Sequence, residues 1–309
     1  MTHYEKQVRI LLRVLPLIEY DHPESGAPFM ALKGGTALNF LLWNLPRLSV
    51  DIDLAYCPID DREIAVRDIT ASMQRLAERV KTLFHGASVS LTAANPVPKL
   101  LIQHDGVMVK IEPNATIRGT VYQTEFARLP PEVERRFGMG AEVRRLSVHD
   151  LYGGKICAAL DRQHPRDLFD IGQLLDSTGI TENTRAAFLV YLISHNRPMA
   201  ELLDPQFQPL GDIYEREFRG MTGVEISLEQ LEHIGARLVS QLRSNLSAKD
   251  KEFILSVKNG APAWELLGVA HAVTLPAVRW KLHNIEQLMQ NPGKHEAALA
   301  KLRSVLELG

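Results

Sequence analysis

Cysteine is almost absent from this 309-residue chain: only Cys57 and Cys157 occur, in neither a Cys-x-x-Cys nor a Cys/His ligand spacing. That argues against a zinc site or a disulfide framework, and both thiols read as small buried apolar residues. The 11 histidines are scattered with no His-x-x-x-His pair, so zinc-type hydrolysis has no support. No window approaches ~20 uninterrupted apolar residues, the length a membrane-spanning helix needs. Lys6, Arg9 and Arg13 interrupt the first apolar residues, so no secretory leader is read there. The expected location is cytoplasmic, with no membrane partner. An excess of positive charge is also missing. Lys and Arg number 35 against 37 Asp and Glu, a formal net charge of −2. Any nucleic-acid surface must therefore be local. No internal repeat or low-complexity segment is evident.

What is present is ordinary globular material, 45% hydrophobic and 23% charged, in a length that suggests two domains. Residues 1–28 read as an amphipathic helix (Val8, Leu11, Leu12, Leu15, Ile18) ending at Asp21-His22-Pro23. Asp60 to Phe84 reads as a long helix with Ile64, Ile69, Met73, Leu76, Val80 and Leu83 on its apolar side. Strands are expected at 89–92, 100–102, 107–111 and 143–146. From Val148 onward the pattern is helical, broken by Pro and Gly. The fold class read is α+β, with residues 1–147 as a mixed sheet with helices and residues 148–309 as a mostly α-helical domain.

The most specific signal is Lys33-Gly34-Gly35-Thr36-Ala37-Leu38 followed by Ser49-Val50-Asp51-Ile52-Asp53-Leu54. On a strand Asp51 and Asp53 leave the same face, because Val50, Ile52 and Leu54 alternate with them. Two carboxylates converging on one point repel unless a hard cation lies between them, and Mg²⁺ suits because it takes oxygen ligands and keeps substrate phosphates. Gly34 and Gly35 let the backbone approach a ligand at a helix start near Thr36. Lys33 adds a charge and Thr36 a hydroxyl. Either motif alone is commonplace, as a tight turn or a solvated strand edge. In this order, with an apolar helix between them, they point to the palm of a DNA polymerase β-like nucleotidyltransferase.

That palm requires a third acidic group on a neighbouring strand. Glu112, on the run Val107 to Glu112, is placed either to complete the metal site or to act as the base for the attacking hydroxyl. The alternative is an exposed glutamate that ends a strand before Pro113. A second cluster joins a helix carrying Lys155 and Arg162 to one carrying Asp167 and Asp170, the break falling at His164-Pro165. As solvent-facing ion pairs these groups would contribute only about 0–1 kcal/mol each, which favours a functional role. Arg128, Arg135, Arg136, Arg144 and Arg145, joined by Arg162 and Arg166, form the most basic region. It reads either as an RNA-facing rim or as a solvated face balanced by Glu125, Glu132, Glu134 and Glu142.

These blocks resemble the AbiEii/AbiGii-type nucleotidyltransferase toxins of toxin–antitoxin and phage-defence systems, which include the mycobacterial MenT toxins. The resemblance rests on Lys33 to Leu38, on Arg47 to Leu54, and on Lys155, Ala159, Leu160, Arg162, Arg166, Asp167, Leu168, Phe169 and Asp170. The stretch Leu275 to Ile285 resembles the family's C-terminal helical segment. Glu112 stands where family members often carry aspartate.

The resemblance implies transfer of a nucleoside monophosphate from an NTP, with release of pyrophosphate, to the 3′ end of tRNA, together with a cognate antitoxin as partner. It implies Asp51 and Asp53 as Mg²⁺ ligands, phosphate contacts from Ser49, Gly34 and Gly35, and Lys155 on the triphosphate. Asp167 or Asp170 would position the acceptor or the Lys155 amine, and the catalytic cleft is expected between the two domains. It also suggests Ser49 as a phosphorylation site, where about −1.5 to −2 of added charge would exclude the NTP. Other acceptors, a small molecule or a protein hydroxyl, remain compatible with the same motifs, as does a nucleotide-binding module without turnover.

Overall fold

A computed structural model describes residues 3–307. The chain divides into two compact units: residues up to Ser147 together with Met221–Val224, and the remainder.

In the first unit, helix α1 (His3–Val14) buries Val8, Leu11 and Leu12. It stops earlier than its periodicity suggests, giving way to a 3₁₀ turn at Leu15–Leu17. Pro16 is the reason, since it has no N–H to donate and its ring clashes with the preceding turn. The seven strands are β1 (Met30–Lys33), β2 (Asp51–Tyr56), β3 (Ser88–Leu91), β4 (Leu100–His104), β5 (Val107–Arg118), β6 (Glu125–Arg128) and β7 (Glu142–Arg145). They form one mixed sheet in the order β3-β4-β5-β2-β1-β7-β6, with β2 parallel to β5 and β1 parallel to β7. Helix α2 (Gly34–Ala37) continues into a π turn at Leu38–Leu42, and Asn39 Nδ2 donates to Gly35 O at 2.9 Å beside it. Helix α3 (Arg62–Leu83) follows β2, and α4 (Pro131–Phe137) follows β6.

One sheet face is apolar. Ile52, Leu54, Val109 and Ile111 are buried there, and α1 and α3 both pack against β5. The stripe of α3 is narrower than the sequence pattern implies: Ala65, Ile69, Met73, Leu76 and Val80 are buried, whereas Ile64 is exposed. The opposite face carries Asp51, Asp53, Lys110 and Glu112, all partly accessible.

The second unit is helical: α5 (Val148–Arg162), α6 (Pro165–Asp176), α7 (Glu182–Ser194), α8 (Met199–Leu203), α9 (Gly211–Glu217), α10 (Leu228–Asn245), α11 (Ala248–Lys258), α12 (Trp264–Leu267), α13 (Pro276–Met289) and α14 (Pro292–Val305). Helices α5 and α7 approach closely at Gly153, where a Cβ would lie 2.9 Å from the backbone of Ala187 and Phe188. The α5–α6 break falls where proline places it. His164 caps α6, its Nδ1 accepting from Arg166 N at 3.1 Å, and Pro165 occupies the first turn. Among the described residues no helix is long and apolar enough to cross a membrane. Cys157 is buried, and burial drives its thiol pKa up; Cys57 is only half-buried.

Candidate active site

Strand register assembles the charged face. Asp53 pairs with Lys33 on antiparallel β1 and with Glu112 on parallel β5, while Asp51 pairs with Lys110. Side chains in register project to the same side, so Lys33, Asp53 and Glu112 form one row across three strands and Asp51 and Lys110 lie in the row beside it. The pairing of the Glu112 strand with the Asp51 strand, open in the sequence, is thereby fixed.

Glu112 is nevertheless not gathered with the aspartates. Its carboxylate is held by Lys110 Nζ at 2.5 Å and by Lys99 Nζ. Burial works against its charge, but the hydrogen bonds from Lys110 and Lys99 outweigh it and hold the carboxyl below the usual range. A lowered pKa makes Glu112 a poorer base. Lys110 is raised in turn: burial opposes its charge, and the bond to Glu112 with the fields of Asp51, Glu112 and Asp53 more than compensates. Among the described residues no group of three or more His, Cys, Asp or Glu side chains is placed to hold a metal. The expected third carboxylate is therefore in register but engaged by lysines.

The glycine turn is built against Asp53 at Gly34 and against Arg47 and Ser49 at Gly35. Gly34 has φ +72°, and a Cβ there would lie 2.3 Å from Asp53 Oδ2. At Gly35 a Cβ would lie 2.5 Å from Arg47 Nη2 and 3.1 Å from Ser49 Oγ. Gly34→Ala is expected to cost about 1–2 kcal/mol of stability from the left-handed backbone alone. Because the new methyl also evicts the Asp53 carboxylate, transfer activity should fall at least about tenfold, a ratio set by misplacement of a reacting group. Thermal melting and turnover of the variant check the two effects separately.

Thr36 and Ser49 are both buried, and their hydroxyls serve the scaffold. Thr36 Oγ1 donates to the Asp51 carbonyl and lies 2.9 Å from Ser49 Oγ. Thr36 has one proton and the carbonyl can only accept, so Ser49 is the donor to Thr36. The chain Ser49 to Thr36 to Asp51 O fixes the start of β2. Ser49 precedes that strand rather than lying on it. Arg47, absent from the residues singled out by role, is 2% exposed and donates to Leu48 O at 3.1 Å. Its loop is held by the returning segment: Leu48 N donates to Met221 O at 2.9 Å, and Arg47 bridges Thr222. Nothing in the local sequence signals this, because the partner lies some 170 residues on.

In the second unit, Lys155 Nζ lies 2.9 Å from both Asp167 Oδ1 and Asp170 Oδ2. Arg162 grips Asp167 with two bonds, Nε to Oδ2 at 2.6 Å and Nη2 to Oδ1 at 3.0 Å. The side chains of Lys155, Asp167 and Asp170 are 6%, 1% and 3% exposed. The argument from weak solvent-facing pairs therefore does not apply: this is a buried network joining α5 to α6. Burial raises the Asp167 pKa, but the charges and bonds of Lys155 and Arg162 take it far below the carboxylate range.

A family model described as the nucleotidyl transferase AbiEii toxin, Type IV TA system, matches residues 20–282. The chain belongs to this family. Curated proteins contain no significant sequence match to it. Among solved structures, the AbiEii-family chain is similar to MenT4, a nucleotidyltransferase toxin from Mycobacterium tuberculosis. The TM-score is 0.58 at 14% identity, covering 91% of this chain and 93% of that one. At that identity the likeness is one of fold. Family membership makes the protein an NTP-dependent nucleotidyltransferase toxin, with an NTP as substrate and an antitoxin as partner.

Two features of this AbiEii protein bear on what its site accepts. Asp51 and Asp53 fit a Mg²⁺–triphosphate: they offer hard oxygens on one face next to a backbone turn with no room for a side chain, and Mg²⁺ commonly takes one or two carboxylates plus phosphates. In the basic region of the first unit, by contrast, four of the five arginines face carboxylates, while Arg135 bonds Pro131 O at 3.4 Å. Arg144 pairs with Asp21 at 2.6 Å, Arg145 with Glu125 at 3.0 Å, Arg128 with Glu142 at 3.4 Å and Arg136 with Glu5 at 3.6 Å. Arg166 pairs with Glu217 at 3.5 Å. Of the glutamates expected to balance this tract, Glu125 and Glu142 are engaged, joined by Asp21 and Glu5.

Proposed function

We propose that this toxin transfers a nucleoside monophosphate from an NTP to the 3′ end of tRNA, using Mg²⁺ held by Asp51 and Asp53. The observation that carries the reading is the placement of these two carboxylates on one face, with Asp53 against Gly34. The acceptor hydroxyl oxygen bonds to the α-phosphorus, the bond to the β-phosphate oxygen breaks, the hydroxyl proton is lost and pyrophosphate leaves. Bound Mg²⁺ would neutralise charge that develops on the phosphate oxygens. The chain's own part is positional. Gly34 and Gly35 expose backbone to the triphosphate, the Thr36–Ser49 bond keeps Asp51 in place, and Lys33 sets a positive charge in register with Asp53. Modification of a tRNA 3′ end would prevent aminoacylation, which suits a toxin.

The internally neutralised arginines favour a second reading, in which the acceptor is a small molecule or a protein hydroxyl. The test is incubation with each α-labelled NTP, Mg²⁺ and total tRNA, either intact or with its 3′-terminal diol oxidised by periodate. Label on intact tRNA and none on oxidised tRNA is the expected result. Absence of label on tRNA with all four NTPs, or equal label on the oxidised form, overturns the tRNA 3′ assignment.

A further inference from the structure

Lys110 and Lys99, on the carboxylate face, have no part in the catalytic scheme so far. Lys110 sits in register with Asp51 and bonds Glu112; Lys99, just before β4, bonds the other oxygen of Glu112; Lys33 is in register with Asp53. Three ammonium groups therefore face three carboxylates, and the site is formally neutral before any ligand arrives. A divalent cation entering alone meets aspartates whose charge is already compensated, with an ammonium in the adjacent register position. Opposite charges partly desolvated at such range compete strongly for one another.

We propose that Lys110 is the resident counter-ion of the aspartate pair and makes divalent-cation binding conditional on the nucleotide. This rests on the reading of Asp51 and Asp53 given above. A triphosphate brings phosphate oxygens to which Lys110 and Lys99 can turn, releasing the aspartates to the cation that accompanies it. Glu112 then acts as a positioning residue: it holds both lysines at the site's edge and is not itself a ligand. The arrangement keeps the site from filling with a cation that has no substrate attached.

Mn²⁺ titration followed by electron paramagnetic resonance tests this on the full chain, with and without each of the four α,β-methylene NTPs. The wild type is expected to bind Mn²⁺ at least about tenfold more tightly with one analogue than with none, in keeping with the usual size of coupling between ligands. Lys110→Gln should raise nucleotide-free Mn²⁺ affinity about tenfold and shrink that ratio, while Lys110→Arg keeps the wild-type behaviour. Lys110→Met makes the same charge change should the glutamine variant melt early. Nucleotide-free Mn²⁺ binding no tighter in either neutral variant than in the wild type overturns the role of Lys110. Wild type that binds no Mn²⁺ even with an analogue overturns the aspartate reading beneath it.

Discussion

Asp53→Asn is expected to lower kcat/KM for nucleotidyl transfer by about 10³-fold, roughly 4 kcal/mol of transition-state stabilisation. The substitution keeps the shape that packs on Gly34, where there is no space for even a methyl group. It removes the charge that a Mg²⁺–triphosphate requires. Lys33 stands in register with Asp53, so the lost charge leaves an ammonium less well compensated, and the stability change should stay within the roughly 1 kcal/mol of a partly exposed ion pair. Transfer rates over a range of NTP concentrations and a melting curve on the same sample check both halves. Activity within tenfold of wild type would remove Asp53 from the reaction, whatever the acceptor.

That site was legible in the sequence because a strand's period of two is simple. Ile52 and Leu54 face the core, so Asp51 and Asp53 must face away from it. Much else depended on contacts that no local pattern encodes. Whether Glu112 stood beside Asp53 was a question of strand order, answered only by the β2–β5 register. Lys99 lies in a Pro-containing loop and means nothing until β4 pairs with β5 and carries it to Glu112. The expected end of β5 at Ile111 was wrong for a related reason. The strand runs to Arg118, because β4 reaches no further than Ile111 on that side and a residue without an N–H costs nothing on an open edge. β6 escaped notice because it is a short edge strand with Phe126 half-exposed, and so has no apolar alternation. Helix breaks were better marked where proline dictated them, as at Pro165; Pro16 was overlooked because the apolar period continues through it to Ile18.

Burial is the property that sequence reasoning misjudged at Lys155, and it sets the second large effect. Lys155→Met is expected to destabilise the protein by about 3–5 kcal/mol, the usual penalty for stripping one partner from a buried ion network. Two carboxylates that are 1% and 3% exposed would lose the ammonium they share. Arg162→Met should cost under about 1 kcal/mol, because its side chain is 63% exposed and water can replace part of what it gives. The pH dependence follows from the depressed pKa of Asp167. A carboxylate held below its ordinary value of 3.8 contributes stability that is fully present above that pH and is lost as pH falls below it. The gap between wild type and Lys155→Met should therefore be constant near neutrality and close on acidification below about pH 4. Denaturant titration at pH 7 and at pH 3.5 measures it, and a variant within 1 kcal/mol of wild type at pH 7 would refute the network's structural weight. The same curves decide how activity data at this position are read. A loss of transfer by Lys155→Met counts as more than unfolding only at temperatures where the variant is still folded.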